Sequence, residues 1–332
     1  MTVKLGGTNW VFLNSSRTVT DLLEKRAAIY CSRPPFPMTQ DIVSRGGRIV
    51  LMPYNNDWRQ LRRIMHQILS TRQTSTYRGY QDLESKQLLW DYLHFPDKWY
   101  LHNGRYSNSV IMSVVFGRRA SWDDPELAAL FETAEEFLAL QQAGVNIVDG
   151  FPILAKLPEF LQWWRPRGER IHEKTVGVYR RVFETLEKKI EEGTQRDCFA
   201  LQMLKIAETE NFTENQKLFA AGSLLEAGSD TTRVSLGQMI AGAATYPDWV
   251  ERVRKQLDEV CGANAERLPE WSDYDKLPYI NAVVKESFRW RPNIAPLGAP
   301  TSLIKDDEYE GYKFPAGTVF TWNAWYILSY FE

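Results

Sequence analysis

The sequence of 332 residues predicts a mainly α-helical fold with small β-sheets. Apolar residues recur at helical spacing along most of the chain, and proline or glycine separates one such segment from the next. Sequence that alternates like β-strands is confined to the two ends of the chain. Because the sequence contains neither an internal repeat nor a low-complexity linker, we interpret residues 1–332 as a single domain.

The N-terminal segment MTVKLGGTNWVFLNSS alternates like a pair of strands around Gly6 and Gly7. A helix is predicted over 17–30, and the CSRPPFPM that follows is a proline-rich loop that cannot continue a helix. Farther along, helical patterns recur at 55–70, 80–94, 125–142, 168–192 and 196–208.

A long helix is predicted from Thr213 to about Tyr246. Thr213 and Gln216 form a capping-box sequence at its start, and Pro247 ends it. At about 1.5 Å per residue its length is roughly 50 Å. A helix of that length is suited to crossing a whole domain.

The interior of this helix contains Ala227, Gly228, Asp230 and Thr231, of which the last three are poor helix formers. Small residues allow a planar group to approach the backbone, and an acid beside an alcohol can relay protons to a bound oxygen species. The Thr231 hydroxyl has two candidate partners, the carbonyl of Ala227 or a ligand in a local widening of the helix. We therefore expect a local distortion near Gly228–Thr231. The alternative is a helix–helix crossing with small residues at the contact.

The C-terminal part begins with a helix over 248–260 and another between Pro278 and Pro292. The second of these contains Glu286 and Arg289, which are three residues apart and close enough for a charge-assisted pair. An ordinary surface ion pair is the alternative. Short strands and turns follow in DDEYEGYKFPAGTVFTW.

Trp58 and Arg62 lie four residues apart in the helix predicted over 55–70, whose N-cap is predicted at Asn56 or Asp57. An indole N–H and a guanidinium at this spacing point the same way and could together grip a carboxylate. A solvated basic face is the alternative interpretation.

The composition excludes several classes of protein. A formal net charge of −2 argues against a nucleic-acid partner. Three widely spaced cysteines, Cys31, Cys198 and Cys261, suggest a reducing compartment rather than a disulfide framework. The four histidines show no metal-binding spacing, and no run of 18 or more apolar residues predicts a transmembrane helix.

Taken in this order, Trp-x-x-x-Arg, Ala-Gly-x-Asp-Thr-Thr and Glu-x-x-Arg form a pattern that resembles the cytochrome P450 family of haem-thiolate monooxygenases. The downstream PLGAP and DDEYEGYKFPAGT make the chain similar to the fungal microsomal members, and the resemblance extends from Lys4 to about Trp325. It implies a cytochrome P450-like helical domain. It also implies a monooxygenase that oxidises a lipophilic small molecule, in fungal secondary metabolism, with O2 and reductase-supplied electrons.

The resemblance further implies a role for each motif. Grouped by these implied roles, the positions are the haem-propionate ligands Trp58 and Arg62, the haem-contacting Ala227 and Gly228, the proton-delivering Asp230 and Thr231, and the core-bracing Glu286 and Arg289. In this arrangement Gly228 would give room for iron-bound oxygen.

Two expectations about geometry follow from these roles. Glu286 and Arg289 are expected to be buried and paired. Trp58 and Arg62 are expected to face the same cavity as Thr231, because one flat cofactor must be gripped at its edge and on its distal face.

Haem is the implied cofactor, and an NADPH-dependent reductase is the implied partner. The cytosolic face of the endoplasmic reticulum membrane is the implied location. The family's cysteine loop, Phe-x-x-Gly-x-Arg-x-Cys-x-Gly, has no counterpart beyond Phe314, so no proximal iron ligand is expected in this chain. The family's N-terminal anchor has no counterpart either. The chain is therefore expected to match the N-terminal two-thirds of the family pattern, cut at both ends.

Two other interpretations are retained beside the monooxygenase. One is a catalytically inactive truncated fragment, and the other is a non-enzymatic small-molecule-binding protein that uses the same pocket. The missing thiolate separates them from the first, because an iron without this ligand lacks the electron push for O–O cleavage. In each case the pocket walls implied by the resemblance are segments 36–54, 218–231 and 293–299.

Overall fold

The computed structural model describes residues 1–69, 71–121, 123–142, 144–293 and 298–329, and the side chains of all of these except 71–76. Helices dominate the described chain, as predicted. They are α1 (Ser16–Val19), α2 (Asn56–Ile68), α3 (Thr71–His94), α4 (Trp99–Phe116), α5 (Pro125–Leu140), α6 (Ile147–Gly150), α7 (Arg165–Glu191), α8 (Phe199–Glu210), α9 (Glu214–Thr245), α10 (Asp248–Cys261), α11 (Pro278–Trp290) and α12 (Ala324–Ser329).

The β-structure joins the two ends of the chain. The strands are β1 (Thr2–Leu5), β2 (Thr8–Leu13), β3 (Thr301–Ser302), β4 (Asp307–Tyr309), β5 (Tyr312–Phe314) and β6 (Val319–Trp322). Four of them form one sheet in the order β1-β2-β6-β3, in which β2 and β6 pair in parallel with Trp10 opposite Val319. The other two, β4 and β5, form a separate antiparallel hairpin.

The predicted N-terminal strand pair is confirmed. Strands β1 and β2 are antiparallel, and the turn between them uses Gly6 and Gly7 at φ +56° and +93°. This left-handed backbone conformation favours glycine.

The helix predicted over 17–30 is wrong in its extent. Only α1 is α-helical, Thr20–Glu24 forms a wider π-helical turn, and turns follow it. Tertiary contacts explain the early end. The Arg26 guanidinium donates to Asp307 at 2.7 Å, and the backbone carbonyl of Ile29 accepts from Ile304, so this segment follows the C-terminal strands.

Helix α2 also begins differently from the prediction. Its N-cap is Asn55, whose side-chain oxygen accepts a hydrogen bond from the Trp58 backbone N–H at 2.8 Å. Asparagine satisfies the first free N–H groups of a helix well, so the cap lies one residue before Asn56.

Helix α4 was not predicted, yet it packs against both α3 and α9. Twelve of its 18 residues are buried, and many of those are small and polar, including Ser107, Asn108, Ser109 and Ser113. A helix buried on most of its surface shows no apolar stripe, so helical periodicity does not reveal it.

The long helix α9 is confirmed, with the predicted capping box between Thr213 and Gln216. The predicted local distortion is wrong, because α9 is α-helical without interruption through 226–232. The Thr231 hydroxyl donates to the Ala227 carbonyl at 2.8 Å and so remains within its own helix. This back-bond is compatible with regular α-helical geometry.

The largest hydrophobic cluster surrounds the N-terminal half of α9, where Leu218, Phe219 and Leu225 meet residues of α2, α4, α7 and α8. Toward its C-terminal half α9 becomes more exposed. No helix within the described residues is both long and apolar enough to cross a bilayer.

Candidate functional site

The middle of α9 presents two different surfaces. Ala227 and Thr231 are exposed, whereas Leu225 and Ser229 are buried against the rest of the domain. The exposed pair is one helical turn apart and is joined by the hydrogen bond from the Thr231 hydroxyl to the Ala227 carbonyl. These two residues therefore form an open strip on the helix that a ligand could reach.

Gly228 lies on the packed side of α9 and not on this open strip. A Cβ atom built on Gly228 would approach Ile111 Cγ1 of α4 to 2.5 Å. The Ser107 hydroxyl, also from α4, lies 2.8 Å from the Gly228 carbonyl, which accepts its hydrogen bond. The crossing of α4 over α9 thus accounts for this glycine. We expected the missing side chain of Gly228 to leave room for bound oxygen. In the structure, Ile111 occupies the space beside Gly228 instead.

Asp230 is half-buried and paired within its own helix. Its carboxylate accepts from the guanidinium of Arg233, three residues later. Arg233 in turn lies over the rings of Tyr100 and Phe131, with its central carbon 5.3 Å and 5.1 Å from the ring centroids. Asp230 is therefore held by a cation that is itself fixed by two aromatic rings.

Asn293 is the first residue of the predicted pocket wall 293–299, but its bonds to α9 were not predicted from the sequence. Its side-chain amide donates to the Thr231 carbonyl at 3.0 Å and to the Ser235 hydroxyl at 2.7 Å. Ser235 in turn donates to the same Thr231 carbonyl. These bonds tie the chain just after α11 to the middle of α9. Residues 294–297, which belong to the predicted pocket wall 293–299, lie outside the described residues.

Trp58 and Arg62 both lie on α2 but differ in environment. Trp58 packs against the cluster that surrounds the N-terminal half of α9, and its ring lies 5.3 Å from that of Tyr54. Arg62 is exposed and has no ion-pair partner within the described part of the chain. Within the described residues, no hydrogen bond joins Trp58 or Arg62 to Thr231. That these two side chains face the same cavity as Thr231 therefore stays a prediction.

Glu286 and Arg289 on α11 are paired as predicted, with two bonds of 2.7 Å and 2.6 Å between guanidinium and carboxylate. The prediction that they are buried is wrong, because the Glu286 side chain is 57% exposed. Arg289 also donates to the Leu328 carbonyl at 2.9 Å. Within the described residues, no element covers the Glu286 side chain.

A groove of about 530 Å³ lies between the C-terminal part of α9 and the helices α10 and α11. Its walls include Gly242, Trp249 and Trp290 together with the Glu286–Arg289 pair. The groove is mainly apolar and lies away from Ala227, toward the end of α9.

The three cysteines are poorly placed to offer a thiolate. Cys198 and Cys261 are buried, and Cys31 is half-buried with its thiol 3.4 Å from the Ala28 carbonyl. Burial raises the pKa of Cys31 and of Cys198 above the ordinary thiol value. A raised pKa disfavours the ionised form that binds metals. Among the described residues, His, Cys, Asp and Glu form no cluster of three suited to a metal ion.

Comparison with known proteins gives a consistent result. The sequence model of the family described as Cytochrome P450 matches residues 1–330. The cytochrome P450 monooxygenase fogE of Aspergillus ruber is 33% identical over 325 residues, which are 97% of this chain and 60% of the relative. The cytochrome P450 monooxygenase verL of Clonostachys rogersoniana is 36% identical over 330 residues, with 98% and 60% covered.

A solved structure shows the same fold. It is a structure of a zebra fish cytochrome P450 with progesterone, and it superposes with a TM-score of 0.80 at 22% identity. The alignment covers 99% of this chain and 75% of that one. The chain thus spans about 60% of the length of the curated relatives it matches.

Proposed function

The chain belongs to the cytochrome P450 family, and we propose that it forms the distal side of a haem monooxygenase acting on a lipophilic small molecule. The observation that carries the proposal is the open strip of Ala227 and Thr231 in the middle of helix α9. Exposure of a polar Thr and a small Ala there, beside buried Leu225 and Ser229, leaves a surface that a flat ligand can approach.

The residues present fit one side of a haem group. In the proposal, the strip of Ala227 and Thr231 lies over the ring. Arg62 offers an exposed cation without a partner among the described residues, which suits a propionate at the edge of the ring. Trp58 lies one turn earlier on α2 and adds its indole N–H. Haem, when bound, supplies the iron chemistry by which one atom of O2 enters the substrate.

Proton handling is assigned to Asp230 and Thr231. The Thr231 hydroxyl holds a proton at its Oγ1 and directs it to the Ala227 carbonyl, so a small rotation redirects that proton to a ligand over the strip. Asp230, held by Arg233, would resupply the proton from the solvent side. Neither role requires a break in α9.

Further parts of the proposal follow the family. Electrons come from an NADPH-dependent reductase, and the protein works at the cytosolic face of the endoplasmic reticulum membrane. The substrate is lipophilic, because the predicted pocket wall in segment 36–54 contributes buried Met38, Ile42 and Leu51.

A second candidate function is favoured by the cysteines. Since burial raises the pKa of Cys31 and Cys198, neither is a ready axial thiolate. A chain that binds a small molecule without turning it over, or an inactive fragment, is consistent with that observation. In both cases the pocket remains while the oxygen chemistry is lost.

Haem titration of the purified chain tests the distal-side proposal, with absorbance as the readout. We expect Arg62→Met to weaken haem binding roughly tenfold, the loss of about one charge-assisted bond. Arg59→Met is the matched control, because Arg59 lies on the same helix but bonds to Asn56. Equal affinities for the wild type and Arg62→Met, or no haem binding, would contradict the proposal.

A spectrum of the reduced, CO-bound chain separates the two candidate functions. We expect no thiolate-type Soret band from the chain alone, because Cys198 and Cys261 are buried and burial raises the pKa of the Cys31 thiol. A stoichiometric thiolate band would overturn the second candidate and show that one cysteine reaches the iron.

A further inference from the structure

Arg48 is buried in the domain with part of its hydrogen-bonding capacity unused. Its side chain is 1% exposed, and one terminal nitrogen donates to Glu226 Oε1 at 3.0 Å. Among the described residues, its Nε and Nη1 atoms have no hydrogen-bond partner. The guanidinium lies 3.4 Å above the ring of Phe137 and 5.5 Å from that of Phe219. A buried arginine with two unused donor nitrogens is costly and needs an explanation.

The positive charge of Arg48 is already balanced by the Glu226 carboxylate. Arg48 therefore lacks hydrogen-bond acceptors for its remaining N–H groups, but it does not lack an anion. Glu226 accepts from Arg48, and the same carboxylate oxygen accepts from the Tyr179 hydroxyl at 2.5 Å. Tyr179 is fixed across α9, because a Cβ on Gly222 would lie 2.3 Å from its ring. A second carboxylate placed here would be repelled by Glu226. A neutral oxygen would not be.

Gln40 brings a second unused polar group to the same segment. It is 3% exposed, and both the nitrogen and the oxygen of its side-chain amide lack partners in the part of the chain that the structure describes. The chain folds back here, since the Gly46 backbone N–H donates to the Gln40 carbonyl at 2.9 Å. Gln40 therefore lies in the closed loop that ends beside Arg48. We name Gln40, Arg48, Tyr179 and Glu226 the Arg48 cluster.

The Arg48 cluster reaches the same turn of helix α9 that carries the proposed site. Glu226 directly precedes Ala227, the first residue of the open strip. The cluster thus connects the loop 36–54 and helix α7 to the strip at which oxidation is proposed to occur. The rings of Phe137 and Phe219 form apolar surroundings for its donors. A ligand that satisfies those donors is therefore mostly apolar with one acceptor oxygen.

We propose that the Arg48 cluster binds a neutral carbonyl oxygen of the substrate, so that the substrate is an apolar, ring-containing ketone, aldehyde or ester. This inference rests on the proposed function, since it orients the substrate toward the strip of Ala227 and Thr231. Arg48 Nε or Nη1 donates to the carbonyl, and the Gln40 amide supplies a further donor. A site built to hydrogen-bond an oxygen discriminates strongly against the analogue that lacks it.

Isothermal titration calorimetry of the purified chain with fluorenone and fluorene tests the proposal. The two probes have nearly the same size and shape and differ by one carbonyl group. We expect fluorenone to bind at least about tenfold more tightly than fluorene, as one bond to a charged donor provides. Because the binding of these two probes does not require haem, the calorimetry can be interpreted even if the haem titration fails.

Three variants test which side chains cause the preference for fluorenone over fluorene. Arg48→Lys keeps the charge beside Glu226 but removes the planar donors, and Gln40→Leu removes the amide. Both are expected to abolish most of the preference for fluorenone. Arg45→Met, an exposed neighbour in the same loop, is the matched control and should keep the preference. Circular dichroism checks that each variant is folded.

Three results would overturn the proposal. The first is equal binding of the two probes, or no binding of either, by the wild-type chain. The second is a preference that survives in both Arg48→Lys and Gln40→Leu. The third is tighter binding of fluorene carboxylate than of fluorenone, which would show an anion site instead of a carbonyl site.

Discussion

Ile111 of α4 occupies the space that a side chain at Gly228 of α9 would need. A Cβ atom built on the glycine would lie 2.5 Å from Ile111 Cγ1 and 2.6 Å from its Cδ1. The Ser107 hydroxyl, one turn earlier on α4, donates to the Gly228 carbonyl. The two helices therefore meet at this glycine, and the exposed Ala227 and Thr231 lie outside their contact.

Gly228→Ala is expected to destabilise the protein despite the better helix propensity of alanine. Overpacking costs about 1–3 kcal/mol, against a gain of about 1 kcal/mol from propensity. Urea unfolding measures the change. Gly237→Ala is the matched control on the same helix, since its nearest neighbour, Tyr100, would be 3.7 Å away. Equal stability of the two variants would contradict the steric explanation, and Ile111→Ala should restore much of the loss in the double variant.

Arg105→Met is expected to cost about 3–5 kcal/mol of unfolding free energy, because it leaves buried Asp91 without its guanidinium partner and removes one of the two that hold buried Glu84. Arg105 donates to Glu84 at 2.6 Å and to Asp91 at 2.8 Å, and all three side chains are almost fully buried. Lys86→Met breaks an exposed pair on α3 and should change stability by less than about 1 kcal/mol. A small loss for Arg105→Met, measured by urea unfolding, would show that the network adds little.

Local chemistry made part of the fold predictable from sequence. The capping box of Thr213 and Gln216 located the start of α9, because its two hydrogen bonds depend only on neighbours three residues apart. Gly6 and Gly7 located the first turn for a similar reason, since both adopt positive φ. The motif residues Ala227 and Thr231 were identified from their spacing and lie on an exposed strip.

Features that depend on distant parts of the chain could not be predicted in this way. Helix α4 lacks an apolar stripe, because its buried surface is built partly from Ser107, Asn108 and Ser109. The pair Arg48–Glu226 joins residues 178 positions apart. The exposure of Glu286 likewise depends on what covers α11, which no local pattern reveals.

Ionisation of one carboxyl group is expected to lower the stability of the protein as the pH rises from about 4 to 6. Burial raises the pKa of Asp149 from 3.8 to about 6. The folded state therefore holds a proton that the unfolded state has already lost, and the penalty grows to roughly 3 kcal/mol above the folded pKa.

Asp149→Asn is expected to remove this loss of stability at higher pH, because an amide does not titrate. It is expected to flatten the pH dependence of the unfolding free energy relative to the wild type. Its side-chain oxygen can still accept from the Met38 N–H, as the carboxylate does at 2.7 Å. Asp97→Asn, at an exposed position, serves as the control. A difference between wild type and Asp149→Asn that does not change with pH would contradict the prediction.

Glu286→Gln is expected to cost less than about 1 kcal/mol, because its pair with Arg289 is solvent-exposed. Asp273→Asn offers a contrast, since Asp273 is almost fully buried and accepts two bonds from Arg267 at 2.6 Å and 3.0 Å. Thermal unfolding should show the larger loss for Asp273→Asn. A large loss for Glu286→Gln would mean that this side of α11 is covered in solution.

Native-state thiol labelling tests whether any cysteine could act as an axial thiolate. Only Cys31 is expected to react with iodoacetamide in the folded chain, and slowly, because burial raises its pKa and leaves little thiolate. Its rate should rise steeply between about pH 7 and pH 9 as the thiolate fraction grows. Cys198 and Cys261 are buried and should react only after unfolding in urea. Mass spectrometry of peptides assigns each label. Fast labelling of Cys198 or Cys261 in the native chain would show an accessible thiolate and reopen the assignment of an iron ligand within these residues.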